Sequence, residues 1–180
     1  MTPAAVLAYA ITFLFTDIVS EVYGYETAKK VVWYGFLSQL LVLLLVQFAL
    51  WLPAAPWQVE FSSCYASVLG SSWFIVLASL IAYLLSQMHD VAAFDFWKRK
   101  THGRWLWLRN NASTMVSQLI DTAVFITLGF GILPFLALGS PLLPWTQLPS
   151  LILGQYVVKW LIALVDTPFC YLGVWLVKKQ

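Results

Sequence analysis

Five ionisable side chains interrupt long apolar stretches of this sequence: Asp17, Glu21, Asp121, Lys159 and Asp166. Near a helix centre each opposes insertion into lipid by about 2.5–3.5 kcal/mol. Groups that costly bind a polar ligand, carry protons, or pair with one another inside a helix bundle. Asp17 and Glu21 are four residues apart and share one helical face. They fall near the C-terminal end of their helix, where its dipole disfavours carboxylates. Either they form an acidic group at the mouth of a substrate path, or they pair with Lys29, Lys30 or the basic stretch further along. Lys159 and Asp166 are seven apart, two turns, and also share a face. Asp121 is a second candidate partner for Lys159, and that bridge would be either static or an occluding gate. Arg109 is a candidate partner for Asp17 or Glu21.

The clearest pattern surrounds Asp121. Asn110, Ser113, Thr114, Ser117, Gln118, Asp121 and Thr122 recur at spacings of three and four, which gathers them on one face. Met115, Val116, Leu119, Ile120 and Val124 occupy the other. The small hydroxyl residues alone would serve as helix contacts. With Gln118 and Asp121 added, the face reads as the lining of a polar cavity. Gln87, His89, Asp90, Asp95 and His102 form a loose set of metal-type side chains, but their spacing fits no common zinc or iron motif. They read instead as hydrated residues at a helix end, and no metal or other cofactor is expected. There is no nucleophile elbow, phosphate-binding glycine loop or pair of zinc ligands, so an enzyme is not expected.

The elements that must hold these residues follow from composition. Of the 180 residues, 61% are hydrophobic and 10% charged, too few charges to cover a water-facing surface. The class is an all-α, polytopic membrane protein forming a single transmembrane domain over residues 1–180. Five apolar stretches are long enough to span: about 3–22, 31–52, 69–94, 112–138 and 148–177. The last exceeds a straight crossing and must tilt, protrude or break, with Gly154 and Pro168 the places for a kink. Residues 60–70 are too short to span and read as interfacial or re-entrant. The first 16 residues hold no Lys or Arg, so a cleavable leader is not expected.

Orientation follows from Lys and Arg. Lys29, Lys30, Lys98, Arg99, Lys100, Arg104, Arg109, Lys178 and Lys179 all fall on one side of a five-span arrangement, five of them in a basic loop over 95–111. The other side, 53–68 and 134–147, has none. The basic side is therefore cytoplasmic, with the C-terminus inside. Tryptophans cluster at both boundaries, except Trp160 within the last span. The net charge of +2 is too small to argue for nucleic acid. Cys64 and Cys170 make no disulfide framework. No G-x-x-x-G occurs, so the sequence leaves homo-oligomerisation unsupported.

Two strings carry a family resemblance. One is Phe15-Thr16-Asp17-Ile18-Val19-Ser20-Glu21-Val22-Tyr23-Gly24, followed by a basic pair and Val31-Val32-Trp33. The other is Trp107-Leu108-Arg109-Asn110-Asn111-Ala112-Ser113-Thr114, then Ser117-Gln118-Leu119-Ile120-Asp121-Thr122. Gln87-Met88-His89-Asp90-Val91 and Phe94 lie between them. Together these resemble the queuosine precursor transporters of the vitamin uptake transporter family, over nearly the whole chain. That family typically has one more helix at the N-terminus, giving six spans. The resemblance therefore implies either a helix preceding this chain's first one or a five-span variant.

The resemblance also implies uptake of 7-deazaguanines such as preQ0, preQ1 or queuine across a bacterial cytoplasmic membrane, for tRNA modification. The side chains suit such a base. A carboxylate accepts its adjacent N–H and amino group at two points. Asn111, Gln118 or Gln87 can donate to its carbonyl, and Asp17 or Glu21 can meet the cation of preQ1. Asp121 and Gln118 are the leading candidates, with Asn111, Glu21, Asp17 and Gln87 beside them and Lys159, Asp166 and Arg109 as gating or ion-pair residues. The energy source is left open between protons, facilitated transport and an ATP-driven partner. The alternative is a substrate-binding or structural membrane subunit of a larger complex for another vitamin-like heterocycle.

Overall fold

The computed structural model describes residues 5–53, 55, 57–70 and 73–179. Residues 3–4 of the first expected stretch and 71–72 of the third lie outside them. The described chain is all-helical: α1 (Ala5–Tyr23), α2 (Tyr25–Trp51), α3 (Val59–Gly70), α4 (Trp73–Lys100), α5 (Leu106–Ile126), a π-helical segment (Thr127–Ile132), α6 (Leu133–Leu138) and α7 (Leu148–Lys178). Among the described residues, four stretches are long and apolar enough to cross a membrane: α2, α4, the run Leu106–Leu138, and α7. The chain is a multipass membrane protein. The first expected stretch forms the 19-residue α1, and residues 60–70 fall in the 12-residue α3.

Helix ends differ most from expectation around the basic stretch. α4 continues past Phe94 to Lys100, and α5 begins at Leu106, so residues 101–105 are all that connect them. Charged residues do not break a helix. Arg99 pairs with Asp95 one turn back, at 2.6 Å, and Lys98, Arg99 and Lys100 complement the dipole at the helix end. The helix stops where the backbone turns left-handed at His102 (φ 50°) and Gly103 (φ 76°). The His102 amide donates to Arg99 O and that of Gly103 to Lys98 O, a Schellman closure. Between α1 and α2 a single residue, Gly24, makes the reversal at φ 84° and ψ 173°, a region essentially restricted to glycine.

α7 runs unbroken through Pro168 for 31 residues. At about 1.5 Å per residue that is roughly 46 Å, well beyond a hydrocarbon core of about 30 Å, so the helix tilts or protrudes rather than breaks. α5 packs most extensively on α4, then on α7; α1 lies against α7, α2 and α4. A Cβ added at Gly173 would run into Ile18, which shows how closely α1 and α7 approach.

Polar and charged side chains make up about half of the buried residues among those described. The large apolar side chains of α2, including Leu37, Leu41, Leu45 and Phe48, lie on the surface instead. This is the reverse of a water-soluble core. It suits a solvent of lipid, where polar groups must find partners inside.

Candidate functional site

The polar interior is built on α5. Asn110, Ser113, Thr114, Ser117, Gln118, Asp121 and Thr122 are all buried, while Val116 and Leu119 are exposed. The expected two-faced helix is therefore present, with its polar face toward α4 and α7 and reaching α1 through Arg109 and Thr114. Three carboxylate centres lie along it.

Toward the basic end, Glu21 of α1 meets three cations. Arg109 Nη2 lies 2.8 Å from its Oε2, Lys98 Nζ 3.3 Å from Oε2, and Lys178 Nζ 3.3 Å from Oε1. Lys98 also donates to the Glu21 carbonyl at 2.8 Å, and the Arg109 guanidinium lies over the Phe94 ring. One carboxylate thus joins α1, α4, α5 and α7.

One turn earlier on α1, Asp17 is in different surroundings. Thr114 Oγ1 donates to its Oδ2 at 3.1 Å, and its other neighbour is the carboxylate of Asp90 on α4. Both carboxylates are fully buried. Asp90 also abuts the Ser113 and Ser117 hydroxyls, with no donor aligned on either of its oxygens. Beside the pair, Thr16 Oγ1 lies 3.0 Å from Gln87 Oε1, and Gln87 Nε2 has no acceptor. His89 Nδ1 is 2.9 Å from Ser117 Oγ.

Further along α5, Asp121 Oδ2 accepts from Lys159 Nζ of α7 at 2.6 Å, and Ser86 of α4 approaches Oδ1 at 3.5 Å. Lys159 and Asp121 are both buried. Gln118, one turn back, is buried with its Oε1 unpartnered.

The candidate residues therefore separate. Lys159 takes Asp121 rather than Asp166, and Arg109 takes Glu21 rather than Asp17. Lys98 and Lys178, not Lys29 and Lys30, complete the Glu21 group. Asp166 is half-buried and lines a cavity of about 10 Å³ with Asp17, Asn110 and Thr114. Asn111 turns toward α7, donating to Thr167 Oγ1 and Trp107 O, each at 2.8 Å.

Asp90 was not among the sequence candidates. It is not a hydrated residue at a helix end but lies ten residues inside α4, with no exposure. Its spacing of three from Gln87 and four from Ser86 was the available signal. Among the described residues no three His, Cys, Asp or Glu side chains are grouped to hold a metal ion. Among the described residues, the cavity that Asp17, Asn110 and Thr114 line holds about 10 Å³. A cavity of about 580 Å³ lies elsewhere, in an apolar groove between α2 and α4 beside Trp73 and Phe125.

The sequence profile of one family, described as "Putative vitamin uptake transporter", matches residues 3–173. A relative from Bacillus subtilis (strain 168), named "Probable queuosine precursor transporter", is 32% identical over 165 residues, covering 91% of this chain and 67% of the relative. Another from Escherichia coli (strain K12), named "Queuosine precursor transporter", is 25% identical over 123 residues, covering 68% of this chain and 52% of the relative. This chain thus spans about two thirds of the first and half of the second. No solved structure matches it.

Proposed function

The chain belongs to the vitamin uptake transporter family, and from that premise we propose that it imports 7-deazaguanine precursors of queuosine across a bacterial cytoplasmic membrane. α1 is the fifth span in this reading, and the basic ends of α4 and α7 face the cytoplasm. The reading rests on the names of its relatives and above all on one observation. A continuous strip of amides, hydroxyls and carboxylates is buried along α5, with Gln87 Nε2, Gln118 Oε1 and Asn110 Oδ1 unpartnered. A flat base with donors and acceptors around its rim would meet those groups, whereas a lipid-facing structural helix would carry none of them.

Asp121 and Gln118 form the binding centre. The adjacent N–H and amino group of a deazaguanine compete with Lys159 for the Asp121 carboxylate, Gln87 Nε2 donates to the base carbonyl, and Gln118 Oε1 accepts from a ring N–H. Asn111 has its Nδ2 engaged by Trp107 and Thr167, which leaves its buried Oδ1 as the atom that can accept from the base. Glu21 acts as the anchor that holds four helices at the cytoplasmic end. Since an ordinary small-molecule site occupies about 300 Å³ or more, admission of the base requires α5 to part from α7 or α4.

A second reading is favoured by the same ion pairs: a structural subunit whose buried charges only join helices. Thermal unfolding of the purified chain with preQ0, preQ1, queuine and guanine separates the two. Ligand at a hundred times its Kd adds about 2.7 kcal/mol of stability. Deazaguanine-specific stabilisation is expected, together with loss of uptake in Asp121→Asn at unchanged membrane levels. A flat panel on folded protein, or normal uptake by that variant, would overturn the assignment.

A further inference from the structure

Asp17 and Asp90 are both fully buried, touch each other across the α1–α4 contact, and have no cation beside them among the described residues. The cations of the interior are engaged elsewhere: Arg109, Lys98 and Lys178 on Glu21, and Lys159 on Asp121. What faces the pair can be named helix by helix. α5 offers only hydroxyls and an amide, Ser113, Ser117, Thr114 and Asn110. α7 offers the Asp166 carboxyl across the small cavity and the Cys170 thiol. On α4, His89 is turned to Ser117, and on α1 the next acid is the cation-bound Glu21.

Two ionised carboxylates cannot rest against each other at membrane depth without a compensating charge. Pairs of this kind hold one proton between them and titrate as a unit. The contacts to the pair are neutral hydroxyls, Thr114 on Asp17 and Ser113 and Ser117 beside Asp90, and these supply no charge to offset a second carboxylate.

We propose that Asp17 and Asp90 form the coupling site of this transporter, a shared-proton seat that links import of the base to proton entry. The inference rests on the reading of the chain as an importer. With the proton in place the two carboxyls join α1 to α4. When it leaves to water on the cytoplasmic side, as hydronium, the two negative charges repel and α1 separates from α4. The cavity of about 10 Å³ between Asp17 and Asp166 is about the size that admits one water, and it extends from the Asp17 member of the pair toward the half-buried Asp166 of α7. Base and proton then travel inward together.

Two measurements on the full chain test this. The first needs no substrate. Infrared spectra of the purified protein at neutral pH should show a protonated-carboxyl band that Asp17→Asn and Asp90→Asn each shift or remove. A band altered by neither variant, or no band at all, overturns the proposal. The second uses proteoliposomes and labelled preQ1. In wild type an inward proton gradient should drive accumulation above the level reached by base-for-base exchange. In Asp90→Asn the ratio of gradient-driven accumulation to exchange should fall at least tenfold. An unchanged ratio, or accumulation that follows a sodium gradient at equal pH, overturns it. Absence of any base exchange by wild type would overturn the importer reading instead, and the infrared result would still decide whether the pair holds a proton.

Discussion

Asp17 and Glu21 lie one turn apart on the same face of α1, yet their surroundings are opposites. Glu21 is held by three cations from three other helices. Asp17 meets a second carboxylate and a threonine hydroxyl. The difference does not come from α1, whose sequence offers the same chemical group twice. It comes from the partners. The basic ends of α4 and α7 and the start of α5 converge on Glu21, whereas the mid-membrane parts of α4 and α5 bring only Asp90 and hydroxyls to Asp17. A carboxylate bound by cations is an anchor and should resist change. One that shares its site with another acid is poised to change its charge.

The sharpest extension of this contrast is the third centre. Lys159→Met strands the buried Asp121 charge and should cost about 3–5 kcal/mol of stability. Adding Asp121→Asn should recover most of that loss, both read by thermal unfolding of purified protein. Next come the two acids of α1. Glu21→Gln leaves the buried Arg109 guanidinium unpaired and should cost about 3 kcal/mol. Asp17→Asn keeps an acceptor for Thr114 and supplies an amide donor to Asp90 in place of the shared proton, so its stability should stay within about 1 kcal/mol of wild type. Equal losses in the two variants would break the comparison. Lys178 is the exposed member of the Glu21 group, and Lys178→Gln should cost under about 1 kcal/mol, less at high salt. Smallest of all, His102→Gly relieves a left-handed side chain at the end of α4 and should gain about 0.5 kcal/mol. That helix end carries Lys98 to Glu21, so the Glu21 group should be undisturbed.

Much of this was legible in the sequence. The apolar runs mark the four long helical stretches because nothing else in the chain could be that hydrophobic for so long. The polar face of α5 was legible because its spacing alone fixes which residues share a side. The Lys159–Asp121 bridge was among the readable options because Lys159 is the one cation placed deep in an apolar stretch. Helix ends were harder. Asp95, Lys98 and Arg99 look like a loop by polarity, but they stay helical because no breaker precedes Gly103. Ending α4 too early made Asp90 look hydrated. Its meeting with Asp17 was out of reach, because residues of like charge give no signal that they should be neighbours. Only the packing of α1 on α4 brings them together.

The π segment Thr127–Ile132 begins six residues after Asp121, in the half of the same span away from the basic end. A π turn holds more residues per turn than an α turn, so this stretch carries slack in its winding. Passing one residue of that slack along the chain would rotate the helix on one side about 100° relative to the other. The polar strip of α5 therefore sits on a shaft whose phase is adjustable at the end away from the basic residues and fixed by Arg109 and Glu21 at the other. In time rather than geometry, hydrogen exchange should reach the amides of Thr127–Ile132 before those of the regular turns from Ser113 to Thr122.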